Sequence, residues 1–366
     1  MPSPSNSLRA LVTRIVTFAM LSVVLFTAAG ATGLAGGTAA HASTQTYTIT
    51  DLGSLGYNTT VGFGINANGQ IVGKSWLQQT VPTTGCPPRH KCYAHVYHAF
   101  LWSNGTMTDL GTLGGTFSEA HAIDSTGDVV GTSTLSGTSF NPTHAFLDHN
   151  GKMTDLGTLG GGCSFALGMN DFGEVVGKAC TTSNEHAFLY SGGTMTDLGT
   201  LGGPGSEALG INTSHQVVGD SATSNTLSST NHAVLWSNGT MTDLGTLGGS
   251  ESAAFAINNV GQVVGYASLP DSSLHAFLYS GGKMTDLGVF FVPEAINNFG
   301  VVVGVSNGGS AIIYTGGTVQ DLNTLIPANS GWVLTEATGI NDKGQIVCNG
   351  YNTTTGYRHA FLLNPI

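Results

Sequence analysis

Short apolar runs such as His-Ala-Phe-Leu and Gln-Val-Val-Gly, parted by turns rich in Asn and Gly, recur along this chain in a fixed order. Runs of that length between such turns are strands, not helices. One copy of the block reads His144-Ala-Phe-Leu, Asn150-Gly151, Met153-Thr-Asp155-Leu-Gly157, then Gly168-Met-Asn170 and Gly173-Glu-Val-Val-Gly177. The Asp-Leu-Gly or Asp-Leu-Asn unit starts at Asp51, Asp109, Asp155, Asp197, Asp243, Asp286 and Asp321, which makes seven copies.

Spacing turns the repeat into elements. From the Asn of Ile-Asn to the glycine closing Val-Val-Gly is seven residues every time, as from Asn66 to Gly73, from Asp124 to Gly131 and, with Cys for Gly, from Asn341 to Cys348. From the His of His-Ala-Phe to the next Asp is eleven: His98 to Asp109, His144 to Asp155, His186 to Asp197, His232 to Asp243 and His275 to Asp286. Ser310 replaces His before Asp321. The turns between them, Asn104-Gly105, Asn150-Gly151, Gly192-Gly193 and their like, suit the two-residue hairpins whose left-handed dihedrals favour Asn and Gly. Each copy therefore predicts four strands: A ending in Ile-Asn, B at Val-Val-Gly, C at His-Ala-Phe-Leu and D at Met-Thr-Asp-Leu. A unit of about 46 residues lies in the period range of four-stranded propeller blades.

The chain ends point to closure. The repeat region begins with a lone D strand, Tyr47 to Leu52, and finishes with a lone C strand, His359 to Leu363. Each supplies the other's missing partner, so the expected architecture is all-β: a closed seven-bladed β-propeller of four-stranded antiparallel blades.

Ahead of the repeats stand Arg9 and Arg14, an apolar run from Ile15 to Leu25 and Ala40-His41-Ala42. That tripartite pattern predicts a secretory signal peptide over 1–42, leaving 43–366 as the propeller of an extracellular protein. Without Arg9 and Arg14 the mature part carries 8 Lys+Arg against 21 Asp+Glu, a net charge near −13. Nucleic acid and anionic membrane surfaces are not expected partners, because both need clustered basic residues.

The quoted motifs resemble those of the bacterial HAF-repeat extracellular proteins, and the resemblance covers residues 47 to 363. It implies a secreted repeat protein and carries no catalytic residues with it.

Candidate chemistry is sparse. The His/Asp positions, closed in the seventh copy by His359 and Asp51, fall on one face as diagonal neighbours; Phe100 is expected opposite Asp109 and His98 opposite Gly111. A pair present in every blade reads as a structural hydrogen bond. The Asn-x-x-Gly turns lack the several carboxylates that a calcium loop requires. In an oxidising compartment Cys86 with Cys92, and Cys163 with Cys180, read as local disulfides, leaving Cys348 over. A zinc site from Cys86, His90, Cys92 and His95 is the rival for the first pair.

Function is expected on one face. The link from B to C varies as 25, 13, 9, 13, 10, 6 and 11 residues, while the A–B and C–D turns keep one length. Variable loops on a fixed scaffold suit a binding surface, here for a glycan or a protein ligand taken up by a monomer. The ligand residues expected are Glu119, Glu207, Glu294 and Glu336, placed in D–A links around the channel mouth, with Arg89 and His90 in the longest loop. Such a ring would attract calcium or a basic ligand and repel polyanions; no cofactor is required. The alternative is a hydrolase or lyase of polysaccharide with its acidic residues at that mouth.

Overall fold

The computed structural model describes residues 45–83, 92–136, 142–224 and 230–366. The signal-peptide segment, Arg89, His90, Cys86 and the side chain of Cys92 lie outside the described residues.

The chain opens with β1 (Tyr47–Asp51) and then lays down six consecutive four-stranded meanders. Blade 1 is β2 (Thr60–Ile65), β3 (Ile71–Thr83), β4 (Cys92–Ser103) and β5 (Thr106–Gly111). Blade 2 is β6 (Gly114–Ile123), β7 (Val129–Leu135), β8 (Thr143–His149) and β9 (Lys152–Asp155). Blade 3 is β10 (Ser164–Met169), β11 (Val175–Cys180), β12 (Glu185–Ser191) and β13 (Thr194–Asp197). Blade 4 is β14 (Ser206–Ile211), β15 (Val217–Ala222), β16 (Asn231–Ser237) and β17 (Thr240–Gly245). Blade 5 is β18 (Ser252–Ile257), β19 (Val263–Ser268), β20 (Leu274–Ser280) and β21 (Lys283–Asp286). Blade 6 is β22 (Phe291–Ile296), β23 (Val302–Ser306), β24 (Ala311–Thr315) and β25 (Thr318–Asp321). The last strands, β26 (Trp332–Ile340), β27 (Ile346–Asn352) and β28 (Arg358–Pro365), take β1 as their fourth partner. Tyr47 pairs with Pro365 and Asp51 with Phe361, so the two ends of the chain close blade 7 and the ring.

The repeated residues explain the repeated geometry. The Phe of His-Ala-Phe is wholly buried in blades 1, 2, 3, 5 and 7, at Phe100, Phe146, Phe188, Phe277 and Phe361. Each packs against its neighbour's sheet: Val130 and Ala145 of blade 2 share a core with Ala166, Val175 and Phe188 of blade 3. Burying such a side chain contributes about 2 kcal/mol, and the seven interfaces make one continuous annulus. The glycine closing Val-Val-Gly is required by close approach, since a Cβ on Gly177 would stand 1.9 Å from the Phe165 carbonyl oxygen.

The C–D hairpin corrects one expectation. Phe100 does face Asp109, but Ala99, not His98, faces Gly111 because Leu110 is an extra, bulged residue. Gly111 takes φ +70°, and its N–H donates to Asp109 Oδ1 at 2.7 Å. Left-handed backbone of this kind is what admits a glycine bulge at a strand end.

Candidate functional site

The A strands stand innermost and surround a central cavity of about 240 Å3, lined at one level by Phe63, His121, Leu167, Leu209, Phe255, Glu294 and Thr338. Its two ends differ in chemistry because the A–B and C–D turns share one face while the B–C and D–A connections share the other.

At the turn face the Ile-Asn asparagines form a ring. The Nδ2 of Asn170 donates to the Asn212 carbonyl, Asn212 to Asn258, Asn258 to Asn297, Asn297 to Asn341 and Asn341 to Asn66, at 2.9 to 3.3 Å. Asn66 donates to the Asp124 carbonyl at 2.8 Å. Within most turns the side-chain oxygen accepts backbone N–H groups two and four residues on, as Asn212 Oδ1 does from Ser214 and Gln216, and Asn258 Oδ1 accepts from Gln262. Asp124 keeps those bonds through Oδ1 but has no amide to pass to blade 3. The asparagines of this face are satisfied; Asp148 at the C–D turn of blade 2 accepts from Gly151 through Oδ1, while its buried Oδ2 has no partner among the described residues.

The His/Asp pairs are bonded around the outside of the ring. Nδ1 of His98, His144, His186, His232, His275 and His359 lies 2.8 to 2.9 Å from Asp109, Asp155, Asp197, Asp243, Asp286 and Asp51. In blade 6, where Ser310 replaces His, Asp321 instead accepts from the Asn323 backbone at 2.9 Å, capping a short 3-10 turn. Every one of these aspartates also accepts from the N–H two residues on, so the pair braces the end of the D strand in every blade but the sixth.

The four glutamates lie in A strands, not in the D–A links: Glu119 in β6, Glu207 in β14, Glu294 in β22 and Glu336 in β26. Only Glu294 of the four lines the cavity. Glu119 and Glu207 sit at blade seams, and Glu336 meets a residue of its own blade. Glu119 Oε2 meets the Lys74 ammonium of blade 1 at 2.6 Å, and its Oε1 lies 3.4 Å from His121 Nε2. Glu207 is 3.8 Å from Lys178 of blade 3, and Glu336 accepts from Asn349 at 3.2 Å. Burial pushes the Glu119 carboxyl up, but the His121 hydrogen bond and charge, with the Lys74 charge, outweigh it and hold the group far below the usual carboxylate range.

Around Lys74 the repeat is broken by aromatic residues. Its Nζ stands 5.0 Å from the ring centre of Tyr97, 5.6 Å from Phe63 and 5.7 Å from Trp76. Tyr97 in turn packs on Phe117 of blade 2 at 4.8 Å. Burial, then the Glu119 charge, raises the Tyr97 hydroxyl pKa. Further out on the loop face, Tyr57 stacks on His95 with centroids 3.7 Å apart. None of these aromatic residues is part of the repeated motifs, although Phe63 has an aromatic counterpart at its level of the cavity, Phe255, so the repeat count could not single them out.

Cys163 and Cys180 form a disulfide, with Cα atoms 5.0 Å apart, and Cys348 is free and buried. Among the described residues the group of potential metal ligands close enough together is Cys163, Cys180 and Glu185, and the disulfide removes both thiols from it. No helix among the described residues is long and apolar enough to cross a membrane.

No family model matches the chain, and no curated protein matches it. Solved structures do. TolB from Acinetobacter baumannii is 13% identical with TM-score 0.41; the match covers 74% of this chain and 62% of TolB. A putative gluconolactonase is 8% identical with TM-score 0.38, covering 87% and 92%. An acylaminoacyl peptidase from Pyrococcus horikoshii is 10% identical with TM-score 0.43, covering 80% and 57%. The chain thus spans under two thirds of TolB and of the peptidase. Likeness this distant carries no activity across.

Proposed function

We propose that this chain is a secreted, non-catalytic β-propeller, acting as a monomer, that binds an extracellular glycan or protein through its loop face. One observation carries the reading: the turn face is a regular ring of asparagines, whereas the seams toward the loop face depart from the repeat, with single aromatic contacts at Lys178–Phe165 and Phe255–Tyr266 and a larger aromatic cluster where blades 7, 1 and 2 meet. The signal-like N-terminal pattern and the Cys163–Cys180 disulfide support an oxidising, extracellular setting. No cofactor is assigned.

The hydrolase alternative has one point in its favour. Glu207 and Asp220 oppose each other across β14 and β15, and both are buried. Yet Glu207 sits by Lys178 and Asp220 accepts from Asn231, so both are engaged in the fold. Nor can Glu119 act as an acid near neutral pH, since hydrolysis of a glycoside requires a carboxyl whose pKa is raised. A glycan and protein array run beside a broad hydrolase and lyase screen on residues 43–366 separates the two: binding without turnover is expected, and turnover without binding would reverse the assignment.

A further inference from the structure

Resting on the binding function above, we infer that the ligand is an uncharged carbohydrate chain and that it lies on a tyrosine platform at the seam between blades 7 and 1. Three tyrosines stand exposed among the described residues, Tyr57, Tyr93 and Tyr357, at 41, 56 and 47%. They come from three separate segments, yet all belong to the loop face at this seam. Tyr57 lies in the D–A link entering blade 1, Tyr93 in β4 just after its B–C loop, and Tyr357 in the B–C loop of blade 7. A bridge between Thr59 and Arg358 brings the Tyr57 link against the Tyr357 loop. Tyr93 is two residues from His95, on the same face of β4, and His95 carries the Tyr57 ring.

The platform is built in advance. The Tyr57 ring lies at 25° to His95, its backbone N–H donates to the Trp76 carbonyl at 3.0 Å, and His95 Nδ1 is 3.0 Å from the Leu77 carbonyl oxygen. Behind it Trp76 and Tyr97 pack at 5.3 Å. A rigid aromatic face loses little freedom when it binds, which is why tyrosine serves so well at recognition surfaces.

The chemistry selects the occupant. A flat ring matches the C–H face of a pyranose, and the neighbouring exposed side chains include Asn58, Gln78 and Gln79, whose amides donate to and accept from sugar hydroxyls. Beneath the platform Lys74 and Glu119 neutralise each other, and at its edge the exposed Arg358, next to Tyr357, presents guanidinium N–H groups that can donate to sugar hydroxyl oxygens. With a net charge near −13, residues 43–366 repel polyanionic glycans.

The test measures binding of residues 43–366 to cellohexaose, maltohexaose and chitohexaose, with heparin as the polyanionic probe. Wild type is expected to bind at least one neutral hexasaccharide, and Tyr57→Ala and Tyr357→Ala to weaken it tenfold or more. Tyr57→Phe, which keeps the ring, restores binding, and Phe299→Ala on the turn face changes nothing; unchanged melting of each variant excludes misfolding. Hexasaccharide binding that the two alanine variants leave intact overturns the platform while leaving the loop-face function standing. Binding only of heparin or of a protein ligand, or of no hexasaccharide at all, overturns the carbohydrate assignment.

Discussion

His359 and Asp51 are 308 positions apart in the chain and bonded at 2.8 Å, through the same Nδ1-to-carboxylate contact that blades 1 to 5 make across eleven residues. The closing blade therefore reproduces the internal ones, and the ring depends on a strand supplied by the opposite end of the chain.

Removing Tyr47 to Leu55 strips β1 from blade 7. It deletes the buried Tyr47 and Leu52 and uncovers Phe361 and Leu363. At about 2 kcal/mol for each large apolar side chain, the loss is roughly 4 kcal/mol or more. Thermal melting of the truncated protein should show a midpoint several degrees lower; an unchanged midpoint would mean that the ring does not rely on this strand.

The asparagine ring predicts the effect of one atom. Asn258 is buried and its Nδ2 donates to Gln262 and to the Asn297 carbonyl. Asn258→Asp replaces that donor by an oxygen facing two others, at a cost of about 2 kcal/mol for an unsatisfied buried group. Denaturant titration should find it destabilised at pH 7. Stability equal to wild type would show that the ring links carry no weight.

Glu119 gives a pH signature. Its pKa in the folded protein is depressed, so its contribution is fully present above the unfolded value of about 4.3 and is lost as pH falls toward the folded value. Glu119→Gln should therefore cost about 1 to 3 kcal/mol at pH 7, and the gap from wild type should narrow below about pH 4. A gap that widens in acid would contradict the Lys74–Glu119–His121 arrangement.

Thiol chemistry separates the cysteines. Burial pushes the Cys348 thiol well up, with the Glu336 charge adding to it, so Cys348 should react with iodoacetamide only after denaturation. The Cys163–Cys180 bridge closes a separation of 17 residues, and its removal by Cys163→Ser with Cys180→Ser should cost about 3 kcal/mol. Peptide mapping that finds either of that pair free in native protein would refute the bridge.

The blade count, the closing strand and the second disulfide were legible because each is written in local spacing or in a complementarity of the chain ends. Leu110 shows the limit: the eleven-residue spacing brings Asp109 near His98, but nothing in it reveals the bulge that sets Ala99 opposite Gly111. The seams were illegible for a different reason. Lys74 and Glu119 are 45 positions apart, and each Asn donates to a turn about one blade away, so these contacts arise only when sheets pack side by side. The glutamates looked like loop residues because Gly and Ser precede several of them, yet the A strands begin earlier than their Ile-Asn ends suggest. The tyrosine platform comes from three non-repeated segments, and a period shows only what is repeated.

That function resides on the loop face is tested most directly by blocking each face in turn. Gln79→Cys places a reactive thiol on the loop face and Val260→Cys, 66% exposed in the wild type, places one on the turn face. Each is coupled to a maleimide polyethylene glycol and titrated with whichever ligand the array identifies. Loss of binding on coupling at position 79, with binding at position 260 unaffected, is the predicted result; loss at 260 with binding retained at 79 would contradict it.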